Sequence, residues 1–367
     1  VDANPLAGTA QSGCSPNRAV GSLILSEQPQ QWELFAMASP SSSVATLRPD
    51  LARSLEQFDL AMDRQGFIGL QLCPVIEAQK AGGNWGKIPL EQLLQTRETR
   101  RAPDGSYSRG KYTFDPNNVF VTTEHGAEEP VDDNEATMYS SYFDQELVCT
   151  ERAYDAVLRN QEIRIAGLLT DTGVFTGSQA VTASTYWTDH DNSTPMDDVL
   201  AWKHQVWRNC GLWPTVLAIH KLLFDHLRRN SQMIEQLKFN GIQDVTPSKI
   251  NAAMIAQALD VEQVLVAGSP KNLANSAQTR SLATIWPQDK VLLGRTSQTE
   301  DPREPCVART FHWDEDGSTI GGTVETYREE KIRGDVVRVR HQVGEQLYYK
   351  ECAVLATGLW QSGVEGF

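Results

Sequence analysis

From Asp133 to Ala166 the chain contains neither proline nor glycine, while Met138, Tyr142, Leu147, Val148, Ala153, Val157 and Ile165 recur at helical spacing. The spacing predicts one helix over 133–169. About 37 residues at about 1.5 Å each make a rod of about 55 Å, far longer than the average helix of about 11 to 12 residues. A rod of that length acts as a strut along which other elements are laid, and it does not suit one wall of a compact pocket. Its start is marked as well. Asp132, with Glu135 three residues on, has capping-box spacing, and carboxylates there complement the positive end of the helix dipole.

The segments before the rod carry opposite charges. From Lys80 to about Asp115, turn residues (Gly82, Gly83, Gly86, Pro89, Pro103, Gly105, Gly110) punctuate a stretch that keeps Trp85, Ile88, Leu90, Leu93 and Tyr107. This pattern predicts a long β-hairpin excursion with its tip at Asp104-Gly105, both of which accept positive φ. Lys87, Arg97, Arg100, Arg101, Arg109 and Lys111 stand there against Glu91, Glu98 and Asp104. After a strand over Val119 to Thr123 comes the reverse: Glu124, Glu128, Glu129, Asp132, Asp133 and Glu135, with no Lys or Arg among them. A long excursion that exposes aromatic and apolar side chains favours docking on another subunit, and the acidic block is its natural counter-surface. Opposite patches on one chain suit head-to-tail assembly.

Residues 1 to about 50, rich in Ser, Pro, Gln, Ala and Gly, read as an extended arm. An amphipathic segment over Leu51 to Met62 follows, and Phe67 to Val75 reads as a strand. Beyond the rod lies an alternating α/β passage. Thr194-Pro195 and Thr246-Pro247 each predict a helix start, because a hydroxyl cap precedes a proline suited to the first turn. Helices are expected over 195–210, 220–229, 231–239 and from Pro247, with strands over 215–219, 263–267 and 290–293. Strands over 306–313, 323–327, 335–341 and 346–355 close the chain.

Several function classes are disfavoured. The 33 Lys and Arg against 47 Asp and Glu leave a net charge of −14, wrong for a protein that grips phosphate backbones. No apolar run approaches the roughly 18 to 20 residues of a membrane-spanning helix. The six cysteines (Cys14, Cys73, Cys149, Cys210, Cys306, Cys352) form no C-x-x-C pair, so reduced, packed thiols are expected, and the first twenty residues lack the apolar core of a secretory signal. No Walker loop, G-x-G-x-x-G, G-x-S-x-G or H-E-x-x-H is present, so no catalytic centre, cofactor or resident metal is expected.

The weaker chemical candidates have ordinary readings. Asp189-His190-Asp191 offers metal-ligand types, and a metal-dependent hydrolase is the rival they support, yet beside Asn192-Ser193 they read as a polar turn. His220 and His226, and His204 with Cys210, fall on different helix faces. Trp187, Trp202, Trp207 and Trp213 could stack on bases or sugars, but three of the four fall on or beside one amphipathic helix, which reads as core packing. Cys149, beside Glu146 and Glu151, is a thiol whose pKa is expected to rise.

The order of these elements resembles the major capsid proteins of tailed bacteriophages, with the α+β Hong Kong 97-like fold. The passages carrying the resemblance are Tyr186-Trp187-Thr188-Asp189, Ser193-Thr194-Pro195-Met196-Asp197-Asp198 and Asn209 to Ile219. They continue through Phe224 to Asn230, Ile234 to Lys238, Val245 to Leu259 and Val261 to Val266. Upstream, Asp59 to Pro74, Arg101 to Tyr107 and Val131-Asp132-Asp133 correspond to the stretches around the extended loop and the start of the spine helix. The likeness covers about residues 50 to 357.

The resemblance implies an N-terminal arm (1–55), a peripheral segment (56–78), an extended loop (79–117), a peripheral domain with the spine helix (118–193), an axial α/β domain (194–294) and peripheral return strands with a tail (295–367). It implies no enzyme activity and no cofactor. It implies self-assembly into hexamers and pentamers of an icosahedral shell around double-stranded DNA, in a virion assembled in the host cytoplasm, with scaffold, portal and decoration proteins as partners. A bacterial encapsulin-like nanocompartment shell is the rival with the same fold. Some members cross-link a loop lysine to a neighbour's asparagine, for which the resemblance offers Lys87 or Lys111. The subunit contacts implied are Trp85, Lys87, Arg97, Arg100, Arg101, Tyr107, Arg109 and Lys111 on the loop, against the acidic block.

Overall fold

Residues 66–363 are described by the computed structural model, apart from 88, 90, 91, 93, 102, 112, 114, 240–245, 276, 277, 302, 303, 316 and 362. The expected arm over 1–55 and the amphipathic segment over Leu51 to Met62 lie outside the described residues.

Where a strand over Phe67 to Val75 is expected, the chain forms a short helix α1 (Gly69–Leu72) and then β1 (Val75–Glu77). A distant side chain decides this. The buried Glu162 carboxylate accepts the N–H groups of Ile68 at 2.8 Å and Gly69 at 2.9 Å, holding the first turn of the helix. Strands β2 (Gly82–Lys87) and β3 (Asp115–Val121) pair antiparallel, with Gly82 opposite Val121. The predicted hairpin is therefore regular only at its base. At its expected tip Asp104 has φ 64, the left-handed conformation a tight turn requires.

The acidic block as far as Asp132 forms a strand, β4 (Thr123–Asp132). Helix α2 (Asp133–Tyr139) follows directly, with the Asp132 carboxylate accepting the N–H groups of Asn134 at 2.8 Å and Glu135 at 3.2 Å. The predicted single rod is broken here: after a turn the chain restarts as α3 (Gln145–Leu169), 25 residues long. Asp144 makes the break by accepting from Glu146 N at 3.1 Å, while Ser140 Oγ donates to Thr137 O at 2.8 Å. Short polar side chains offer the backbone these alternatives to a continuous helix, and apolar spacing does not register them.

The remaining elements are β5 (Ala180–Thr182), α4 (Pro195–Cys210), β6 (Val216–His220), α5 (Lys221–Leu227), α6 (Ser231–Phe239), α7 (Ala252–Leu259) and β7 (Gln263–Ala267). They continue through β8 (Pro270–Asn272), β9 (Leu282–Thr284), β10 (Val291–Gly294), β11 (Ala308–His312), β12 (Thr323–Glu329), β13 (Gly334–Leu347) and β14 (Ala353–Thr357). The helix start at Pro195 is found, but the expected hydroxyl cap is not: the Thr194 side chain bonds no first-turn N–H, and the proline alone marks the start. At Pro247 only one 3-10 turn forms, and the helix begins at Ala252 under an Asn251 cap, whose side chain accepts Met254 N at 2.9 Å.

One sheet runs β1-β11-β13-β12, with β4 along the other edge of β13. Pro130 is tolerated in β4 because, among the described residues, β13 is the one strand paired with it, so no second ladder there needs its missing N–H. The second sheet runs β5-β14-β10-β6-β7. Strands 306–357, expected to return together, divide: β11, β12 and β13 join the first sheet, while β14 pairs with β10 in the second. All of β14 except Thr357 is buried, as an interior strand must be.

The second sheet is covered on both faces. One face packs with α4 to α7 around Trp187, Trp202, Val206, Leu217, Leu223 and Leu293. The other meets the C-terminal end of α3 through Ile165, Leu169, Val216, Leu265 and Leu355. The N-terminal part of α3 lies on the first sheet, with Cys149 against Val131 and Val337, and Val157 against Val339. The helix is thus a strut shared by both sheets. Among the described residues no helix is long and apolar enough to cross a membrane.

Candidate functional site

The loop between β2 and β3 is held together by a few polar contacts. The Gln92 side chain and Thr113 exchange two hydrogen bonds, Gln92 Nε2 to Thr113 Oγ1 at 2.9 Å and Thr113 N to Gln92 Oε1 at 2.6 Å. Arg97 lies across Gly110, where a Cβ would meet the guanidinium. At the tip, Arg101 Nε donates to Gly105 O at 2.6 Å, and its guanidinium sits 5.3 Å from the Tyr107 ring centre. Arg97, Arg100, Arg101, Tyr107, Arg109 and Lys111 are all exposed, Tyr107 by 68 %. Trp85 and Lys87 stand in β2 opposite Asn118 and Asp115, and their side chains lie outside the described residues.

The acidic residues meet arginines from distant parts of the chain. Along β4 and its neighbours, Arg338 Nε is 2.7 Å from Glu128, and Arg340 lies 4.0 Å from Glu124 and 2.8 Å from Glu325. Arg152 on α3 reaches Glu129 at 3.4 Å. Arg328 pairs with Asp133 at 2.5 Å, and this hydrogen bond holds the Asp133 carboxyl below its ordinary range. Asp132 is the helix cap, and Glu135 accepts from Gln145 Nε2 at 3.4 Å. The face is therefore a cross-strand ladder of mixed charge. Its missing half was legible in Val337-Arg338-Val339-Arg340, where period-two alternation places both arginines on one face.

The four tryptophans separate into two pairs. Trp187 and Trp202, 0 % and 3 % exposed, stack with centroids 5.5 Å apart, and Trp187 Nε1 donates to Asp198 Oδ2 at 2.9 Å. Trp207 and Trp213, 49 % and 50 % exposed, stack at 6.2 Å, with the His204 ring edge-on to Trp213. The expectation of core packing fails for this second pair: Trp207 lies with 200 and 204 on the helix face away from 199, 202 and 206, and Trp213, past the helix end, stacks on it.

Asp189 is the anchor of a turn: its oxygens accept from Asn192 Nδ2 at 2.9 Å, Asn192 N at 3.2 Å and Asp191 N at 3.3 Å. His190 Nε2 lies 2.9 Å from His226 Nδ1, a ring pair without further ligand groups. Among the described residues no three His, Cys, Asp or Glu side chains converge on a metal position. His220 Nδ1 accepts Leu222 N at 3.2 Å, and burial pushes its pKa down to about 4. Cys149 has the raised pKa expected, but its main cause is burial and the next is Glu129 across from it, in place of Glu146 and Glu151. The five described cysteines are free and buried.

No family model matches the chain. It is 24 % identical over 262 residues to the major capsid protein of Burkholderia phage BcepMu, covering 67 % of this chain and 78 % of that protein. Among solved structures, a phage-related protein from Bordetella bronchiseptica RB50 superposes with a TM-score of 0.59 at 21 % identity, over 84 % of this chain and 95 % of that one. The capsid structure of cyanophage P-SCSP1u gives a TM-score of 0.53 at 11 % identity, over 78 % and 86 %.

Proposed function

We propose that this chain, which belongs with the phage major capsid proteins of the Hong Kong 97-like fold, assembles with copies of itself into hexamers and pentamers of an icosahedral shell enclosing double-stranded DNA. The observation that carries this reading is the 262-residue likeness to a phage major capsid protein. The strut helix shared by two sheets, and the exposed loop projecting from a strand pair, support it.

In this reading the work of the protein is association. The loop of one copy lies across the β4 face of the next, where Arg97, Arg100, Arg101, Arg109 and Lys111 add to the Glu124, Glu128, Asp133 and Glu135 carboxylates, and Tyr107 supplies an apolar anchor. Because Arg340, Arg338 and Arg328 already meet Glu124, Glu128 and Asp133, the loop extends an existing network and does not neutralise a bare patch. Exposed ion pairs contribute roughly 0 to 1 kcal/mol each, so shell strength comes from repetition and from buried anchors. The net charge of −14 fits a container that does not grip its contents. Scaffold, portal and decoration proteins are the partners such a shell uses, and its place is the virion after assembly in the host cytoplasm.

Electron microscopy of the purified full-length chain tests the reading. Closed shells are expected; a discrete small oligomer under all assembly conditions overturns it.

A further inference from the structure

Helix α4 is amphipathic in an unusual way. Its inner face (Val199, Trp202, Val206, Cys210) is buried in the core, yet its outer face is also apolar, with Leu200 and Trp207 each half exposed. Trp213, just past the helix end, stacks on Trp207 and continues that stripe. Beside it runs a groove of about 480 Å³ between Leu200, His204, Trp213 and Pro214 on one side and Asp260, Val261 and Glu262 on the other.

The groove wall is firmly built. Lys203 crosses beneath it, its ammonium buried and spent on the end of α7: it donates to Asp260 O at 2.5 Å and meets the Asp260 carboxylate at 2.6 Å. The Asp260 side chain is itself 96 % exposed, and Glu262 stands beside it, so the rim is apolar on one side and anionic on the other.

A monomer has no use for two stacked, half-exposed tryptophans; Trp in contiguous exposed patches marks contact surfaces and dominates their energetics. We propose that the Trp207–Trp213 shelf and its groove are the apolar centre of a contact with a second copy of this chain. Two features identify the occupant. The chain's own loop reaches this surface at one point, Leu94 Cδ1 lying 3.1 Å from where a Gly211 Cβ would stand, so the shelf is continuous with the loop surface. A copy of the loop also offers an apolar group that the β4 face does not take up, the exposed Leu94, to lie against the tryptophans. Glycine is required at 211, because the helix ends there with φ 74 and Leu94 fills the space a side chain would take. The proposal rests on the shell reading and adds a second contact surface to it.

Hydroxyl-radical footprinting of the wild-type chain, dissociated and assembled, is the test, with products sized by sedimentation and microscopy. Assembly is expected to lower oxidation of Trp207 and Trp213 at least five-fold, with buried Trp187 unlabelled in both states. In parallel, the double variant Trp207→Ser, Trp213→Ser is expected to keep its unfolding midpoint and lose at least ten-fold in assembled yield. Shells whose tryptophans remain equally labelled overturn the shelf and leave the shell reading intact. Small oligomers with both tryptophans protected support the shelf and overturn the shell. Protection that appears only on adding a scaffold or another protein overturns the second copy as occupant. A chain that stays monomeric throughout overturns both.

Discussion

Two tryptophan pairs sit within one helical neighbourhood and have opposite fates. Trp187 and Trp202 are sealed in the core, their ring stack completed by a hydrogen bond to the buried Asp198; Trp207 and Trp213 stack just as Trp187 and Trp202 do, yet half of each faces solvent. Chemically the pairs are the same. What separates them is the rotation of α4 against the second sheet, which turns 199, 202 and 206 inward and 200, 204 and 207 outward. The inner pair stabilises the fold of one chain, and the outer pair is available for contact with another, so substitutions should divide cleanly between folding and association.

The largest effect is expected at the inner pair. Trp187→Ala should cost about 3 to 5 kcal/mol of folding stability in urea titration, as large-to-small core changes do, whereas Trp213→Ala should stay within about 0.5 kcal/mol. Equal losses at the two positions break the comparison. Asp198→Asn comes next: it turns a donor toward Trp187 Nε1 or Ser184 N, both of which now donate to Asp198, and should cost about 1 to 3 kcal/mol in the same titration.

Acidification tests buried against exposed groups in another way. Burial lowers His220 and His341 from 6.5 to about 4. Their folded pKa lies below the unfolded one, so their contribution is complete above about pH 6.5 and is lost as pH falls through about 4. Unfolding midpoints measured from pH 7.5 down to 4 should fall accordingly, and less steeply in His220→Asn. Glu304 acts in a lower window. Burial pushes its carboxyl up, but hydrogen bonds from Thr299 and from the Gln298 and Thr299 amides outweigh this and hold it at about 2, so its contribution is lost only below pH 4.5. The smallest effect on folding is expected from deleting residues 95–110. The unfolding midpoint should not move, while shells disappear from micrographs; persistent shells refute the docking of the loop.

Much of the architecture was readable because it depends on local rules. The α4 start follows from proline in the first turn, and β7 and the helix pair around Asn230 from local caps and apolar spacing within a few residues. Errors fell where a distant group intervened. Glu162 turns a predicted strand into α1, and β14 leaves its expected sheet because β10 offers an interior position there. The break before α3 differs in kind: Asp144 is local, but its capping role is masked by uninterrupted helical spacing on both sides.

The contact surfaces divide in the same way. The basic loop and the acidic run were visible as charge blocks, but a one-dimensional charge count cannot see that Arg338 and Arg340 lie one strand away from Glu128 and Glu124. Likewise the tryptophans were visible while their sidedness was not.

The sequence by itself determined the helical run that becomes the strut, the charge segregation and the helix start at Pro195, since backbone propensity and periodicity act over distances of a few residues. Only the tertiary structure decided which carboxylates are neutralised within the chain and which tryptophans remain uncovered. Pairing and burial depend on which elements meet, and that is set by the packing of the whole chain around two sheets and one shared helix.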